Sequence, residues 1–394
     1  QFWELSSYLD DYPNLKQLNE VVEQNASING KLYGIPRLRI LGRNGISIRK
    51  DWLDNLGMEE PKTIDDFYNM LKAFKEDDPD KDGKDDTYGI AISNYAGPWD
   101  VMQTWFGVPN TWGIDDSGKL IPDFMTPEYK DALDFFQKLY KEGLVNKDFA
   151  AMPPSKWTEQ VVNDKAGVIV DVADTAQRIE DDIDAKVFGD DATTEKKDSK
   201  QFMDVISGVE GPEGMKSLPT SGFSNVLAIP KSAVKTEKEL KKVLSFIDKL
   251  NDKDMQILLE NGIEGQQYTL ENGDLVPSTD KTAMAQLHDL NQMLMYLPET
   301  RSLQVRQNEI RKKVAEVQKE NEQYVVANPA AGLVSETYSN KGAQLDKIID
   351  DARIQYISGQ IDEKGLDAAV EQWKQAGGDK VIEEVNKLYE ENIK

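Results

Sequence analysis

The chain has 394 residues, enough for two or more domains with cores of their own. Its 47 basic residues against 71 acidic ones leave a net charge of −24, which argues against binding a phosphate backbone or an anionic membrane surface. The absence of cysteine removes disulfides, thiolate metal sites and cysteine nucleophiles together, and a single histidine, His288, leaves little for a zinc site or a histidine-based triad. The longest apolar run, around Ala166–Val170, is strand-sized and far short of a membrane span.

Residues 1–48 open with a polar, helix-like stretch, and Gly30-Lys-Leu-Tyr-Gly-Ile-Pro36 alternates and turns as a short hairpin does. Arg37, Arg39 and Arg43 follow, ahead of the short alternating strand Ile46–Arg49. Such a local excess of Arg is either a donor surface for hydroxyls and carboxylates or the basic half of ion pairs with nearby acids. Asp51–Leu56 reads as a helical turn stopped by Gly57. Thr63 with Asp66 three residues on is a capping box, and Ile64, Phe67, Met70, Leu71 and Phe74 fall on one face of the helix it opens.

Directly after that helix, Asp77, Asp78, Asp80, Asp82, Asp85 and Asp86 crowd into ten residues with only Lys81 and Lys84 among them. Carboxylates this close repel one another unless a cation sits among them. Asp78, Asp80 and Asp82 alternate, Gly83 follows where the loop turns back, and the Lys84 carbonyl comes next. This is the donor order of a calcium loop. The bidentate Glu that ends an EF-hand loop is replaced by Gly89, so Asp86, helped by Thr87, is expected to close a shorter loop. The plainer reading is a solvated acidic turn. A loop that saturates its own metal offers no open position to a substrate, which makes the expected role structural.

Tyr88–Ile92 reads as a buried strand, and residues 93–112 carry Tyr95, Trp99, Trp105 and Trp112 on a segment broken by Gly and Pro. Aromatic rings on irregular backbone after a strand suit the C–H faces of sugars, although Trp105 and Phe106 suit a core equally well. Thr126-Pro-Glu128 starts a helix that Gly143 ends. Trp157 heads another, and Lys165–Asp171 is a buried strand that places Asp171 and Asp174 at its carboxyl end, where open α/β sheets collect ligands. Residues 189–201 are polar loop. Asn225–Pro230 is a strand, Thr236 with Glu239 a second capping box, and the chain from about Lys281 is mostly helical. Strands alternating with helices imply α/β layers with mainly parallel sheets.

Several stretches together resemble the extracellular solute-binding proteins (family 1) of carbohydrate ABC importers, and in particular the lipoprotein subgroup of alginate-binding and LipO/YtcQ-like proteins. They are Arg49–Gly57, Pro61-Lys-Thr63, the acidic loop running into Tyr88-Gly-Ile90, Phe223–Lys231, Asn261–Gly265 with Tyr268, Asn328–Tyr338 and Gly377–Asn386. The resemblance implies an α/β, two-lobed periplasmic-binding-protein-like (type II) fold with a hinge, here with an incomplete first lobe. The expected first lobe is 1–48 with 209–280 and the second is 49–208 with 281–394.

The implied function is capture of an oligosaccharide between the lobes and delivery to ABC transporter permease subunits, without catalysis. A monomer outside the cytoplasm is implied, either a cell-surface lipoprotein or periplasmic. A structural Ca2+ is implied on Asp78, Asp80, Asp82, the Lys84 carbonyl and Asp86, with Thr87 at a position often acidic in the family. The strand-helix-strand portion that opens family members is not matched, so the chain resembles an excised piece whose lipid anchor and export signal stood upstream. Expected ligand contacts are Tyr95, Trp99 and Trp112, then Arg39, Arg43, Asp171 and Trp157. The sugar's charge stays open. The alternatives are a carbohydrate-active hydrolase, for which two suitably spaced carboxylates suffice, and a calcium-stabilised adhesion or scaffold module.

Overall fold

A computed structural model describes residues 1–189, 200–271, 274–294, 301, 303 and 308–392. The chain divides into two compact units, one of Gln1–Ile40, Thr220–Gln307 and Ala331–Leu333, the other of Leu41–Pro219, Asn308–Ala330 and Val334–Lys394. Most of the loop expected at 189–201 lies outside the described residues.

In the first unit the expected hairpin over residues 30–36 forms differently. Asn29 and Gly30 take positive φ and turn the chain between Ile28 and Lys31, while Gly34–Leu38 pairs antiparallel with the distant Phe223–Ala228. Asn-Gly is the pair that a tight turn with two positive φ values demands, which pulls the turn ahead of Lys31. Leu5, Leu32, Ile35, Leu240, Leu244 and Ile247 form the apolar core. The capping box of Thr236 and Glu239 starts the helix Glu237–Lys249. Near its end Asp248 accepts from the backbone N–H groups of Asn14 and Leu15, which locks the N-terminal turn to the helix.

The second unit is built on a four-stranded sheet in the order Tyr88–Ile90, Ala166–Val172, Asn44–Arg49, Met203–Ile206. Only the first pair is parallel, so the sheet is mixed and not mainly parallel as the helix–strand alternation implies. Asn44–Arg49 enters from the first unit and not over a helix, so no crossover rule fixes its direction. Its Ile46 pairs with Val170 on one side and Ile206 on the other, and Ile46 and Ile48 are fully buried. Each such side chain contributes roughly 1.5–3 kcal/mol relative to exposure.

Helix Ile64–Glu76 carries the expected capping box and lays Phe67, Met70, Leu71 and Phe74 on the core. Phe74 meets Trp52 edge-on at 5.3 Å. Gly167, on the central strand, lies so close that a Cβ there would stand 2.2 Å from the Phe74 ring. Helix Pro127–Lys141 runs as expected to Gly143, whose φ is +71°. Among the described residues no helix is long and apolar enough to cross a membrane.

Candidate metal loop and ligand surface

The acidic loop hangs between two rigid elements of the second unit, the end of helix Ile64–Glu76 and the start of strand Tyr88–Ile90. Asp78, Lys81 and Gly83 take positive φ, and the Gly83 N–H donates back to the Asp78 carboxylate at 3.1 Å. That fold-back brings one oxygen each from Asp78, Asp80 and Asp82 within 4.8 Å of one another. Burial raises the Asp80 pKa, and the neighbouring Asp82 and Asp78 charges push the same way. Asp82 is held low by the Lys84 ammonium at 2.5 Å. The donor set is entirely hard oxygen, three carboxylates with a carbonyl next in the chain, which fits calcium and excludes a soft-ligand metal.

The two residues expected to close the loop lie elsewhere. Asp86 is outside the three-carboxylate group and pairs with Lys165 Nζ at 2.5 Å. Thr87 is buried, and its hydroxyl donates to the Phe74 carbonyl at 2.8 Å, tying the loop exit to the last turn of the helix. A hydroxyl beside an orphan C-terminal carbonyl of a helix satisfies it.

The expected ligand residues divide. Trp99 is 3 % exposed and packs against Phe136 and Phe149, so it belongs to the core and cannot stack on a sugar. The short helix Gly97–Thr104 buries it, where irregular backbone was expected from Gly97 and Pro98. Trp157 is 6 % exposed and is a brace, meeting Tyr95 edge-on at 6.3 Å. Tyr95 is 50 % exposed. Its hydroxyl is raised in pKa by burial and then by the charges of Asp171 and Asp100.

Asp171 is the penultimate residue of strand Ala166–Val172, and burial raises its pKa. Among the described residues its carboxylate accepts from the Val172 N–H and, in a long 3.4 Å contact, from the Thr175 hydroxyl. Beside it, Arg43 is spent on a bidentate pair with Asp174, both contacts at 2.9 Å, and Arg178 reaches the same carboxylate at 2.6 Å. Of the two readings of the Arg cluster, Arg43 follows the ion-pair one. Asp174 is held low because these bonds outweigh its burial. Trp112 sits on a separate two-stranded ribbon, half-buried and paired with Pro122. Arg39 belongs to the first unit, where it donates to the Leu38 carbonyl. Arg178 was missed, although its i,i+4 spacing from Asp174 was a legible signal. Lys165 was also missed, and its 79-residue separation from Asp86 left nothing to read.

Residues 1–257 match the family described as bacterial extracellular solute-binding protein. The lipoprotein LipO of Bacillus subtilis is 49% identical over 99% of this chain and 77% of its own length. The polygalacturonan/rhamnogalacturonan-binding protein YtcQ of the same organism is 38% identical over 100% of this chain and 76% of its own. Among solved structures, the ABC-transporter substrate-binding protein FusA of Streptococcus pneumoniae, an EF-hand mutant in complex with fructo-nystose, shares the two-lobed fold. Its TM-score is 0.62 at 19% identity, over 99% of this chain and 83% of that one. These are binding proteins, which sets the hydrolase alternative aside. The chain belongs to the bacterial extracellular solute-binding proteins.

Proposed function

We propose that this chain captures an oligosaccharide and delivers it to the permease of an ABC importer, with the acidic loop holding a structural calcium. Similarity to YtcQ supports a sugar ligand. The observation that carries the reading is a half-exposed Tyr95, braced by Trp157 and near enough to Asp171 for its hydroxyl to feel that charge. The two acceptor oxygens of Asp171 are met by only the Val172 N–H and a long Thr175 contact among the described residues. A pyranose or furanose presents C–H groups to an aromatic face and hydroxyl donors to a carboxylate, so the two side chains recognise complementary parts of one ring. Arg43, neutralised by Asp174, serves as a positioning group that holds the strand end.

In assigning lobes we place helix Lys281–Asn291, expected on the second lobe, with the first. Asp78, Asp80, Asp82 and the Lys84 carbonyl would hold the calcium, which when bound cancels the mutual repulsion of the carboxylates.

Titration of the seven-tryptophan chain with a panel of oligosaccharides is expected to give a saturable change in fluorescence. Asp171→Ala is expected to weaken the best ligand by about ten- to a hundredfold, the range of a lost hydrogen bond to a charged group. Trp99→Phe is expected to lower the unfolding midpoint and leave affinity within about twofold, as a core residue should. Unchanged affinity in Asp171→Ala would remove that residue from the site. A flat response across the whole panel would remove the sugar.

A further inference from the structure

We infer that Lys165 is a built-in competitor for the metal of the acidic loop and sets how tightly a divalent cation is held there. The inference rests on the calcium reading above and concerns the residue that limits it.

Lys165 stands immediately before strand Ala166–Val172, and the sheet fixes its place: its carbonyl accepts the Tyr88 N–H at 2.9 Å. That bond sets Lys165 alongside the loop exit, and its ammonium reaches the Asp86 carboxylate at 2.5 Å. Its charge extends to Asp82 and helps to hold that carboxylate low. Lys84 covers Asp82 directly. With Thr87 turned to Phe74, the carboxylate expected to close the loop, that of Asp86, is the one Lys165 holds.

The surroundings add to this. A cavity of about 760 Å3 beside the loop is lined by Asp80, Asp82 and Asp86 together with Lys50, Lys165 and Lys186. Lys50 and Lys186 already pair with Asp54 and Asp164, whereas Lys84 and Lys165 on this wall are spent on the loop carboxylates Asp82 and Asp86. The loop therefore carries its own counter-ions. An arriving cation must meet the Lys165 charge and gains Asp86 only by displacing it. Removing a unit charge about 6 Å from a divalent ion in water changes the affinity by about tenfold.

The test is calcium binding to the whole chain, measured by competition with a chromophoric chelator, for wild type, Lys165→Met, Lys165→Gln and Lys81→Met. Both Lys165 variants are expected to bind calcium about tenfold more tightly and to melt at a lower temperature than wild type in chelator, where Asp86 has lost its partner. Lys81, on the same loop, is the charge control, and its variant is expected to gain about threefold or less. Using two Lys165 substitutions means that a folding defect in one does not decide the result. Equal or weaker binding in the Lys165 variants overturns the inference while leaving the calcium site standing, and so does an equal gain in Lys81→Met. Absence of calcium binding in every protein overturns the calcium reading itself.

Discussion

Chelating calcium is expected to lower the unfolding midpoint of the second unit by about 10 °C, and Asp80→Ala is expected to erase that dependence. A ligand that binds only the folded state, present at about a thousand times its dissociation constant, adds about 4 kcal/mol. For a unit of this size each kcal/mol moves the midpoint by about 2–4 °C. Asp80 is the sensitive position because it sits between two like charges and is raised by burial and by them, so without a cation it is the least comfortable carboxylate of the three. Asp80→Ala relieves repulsion in chelator and removes a ligand in calcium, so its two melting curves should coincide, between those of wild type. Identical wild-type curves in chelator and in calcium would contradict a metal on this loop.

Arg353→Ala is expected to destabilise the second unit by about 2–3 kcal/mol, the range for lost hydrogen bonds to charged groups, because the Asp100 and Asp350 carboxylates left behind still reach solvent. Arg353 lies buried on helix Glu336–Ile357 and donates to Asp100 at 2.6 Å and to Asp350 at 3.0 Å. Burial works against its charge, but Asp100, Tyr129 and Asp350 outweigh it and hold the guanidinium above its usual pKa. Asp123 faces the same cluster from the turn before helix Pro127–Lys141, and burial, with the Asp100 charge adding, pushes it up to about 7.

The sign follows from linkage. A carboxyl raised in the folded state binds its proton more tightly there than in the unfolded chain, so its contribution falls as pH rises from about 4 to about 7 and is constant above that. Asp123→Asn keeps an acceptor for the Phe124 N–H and removes the charge. Its stability relative to wild type is expected to rise across that window, as read from urea unfolding at pH 5 and pH 7.5. A parallel pH dependence in the two proteins would show that Asp123 does not titrate there.

The parts of the fold that were legible depend on near neighbours. Both capping boxes and the buried face of Phe67, Met70, Leu71 and Phe74 formed where residues three and four apart placed them, and the strands expected at 46–49 and 165–171 formed as Asn44–Arg49 and Ala166–Val172. The acidic loop was legible for the same reason. Its turn at Gly83 and the convergence of Asp78, Asp80 and Asp82 come from six consecutive residues. What failed needed partners far away in the chain. Thr87 was lost to a carbonyl 13 residues back, Trp99 to Phe136 and Phe149, and Asp86 to Lys165. The direction of Asn44–Arg49 was hidden too, because only the three-dimensional path shows that it enters from the other unit.

The most direct measurement is calorimetric titration of the calcium-loaded chain with defined oligosaccharides, neutral fructans alongside polygalacturonan fragments, with the sugar recovered afterwards and its length determined. The expected result is a saturable heat for at least one member at one ligand per chain, abolished or weakened at least tenfold by Asp171→Ala, with the glycan recovered at its original length. Heat from no member of the panel, or a glycan returned shorter than it was supplied, would contradict capture without chemistry.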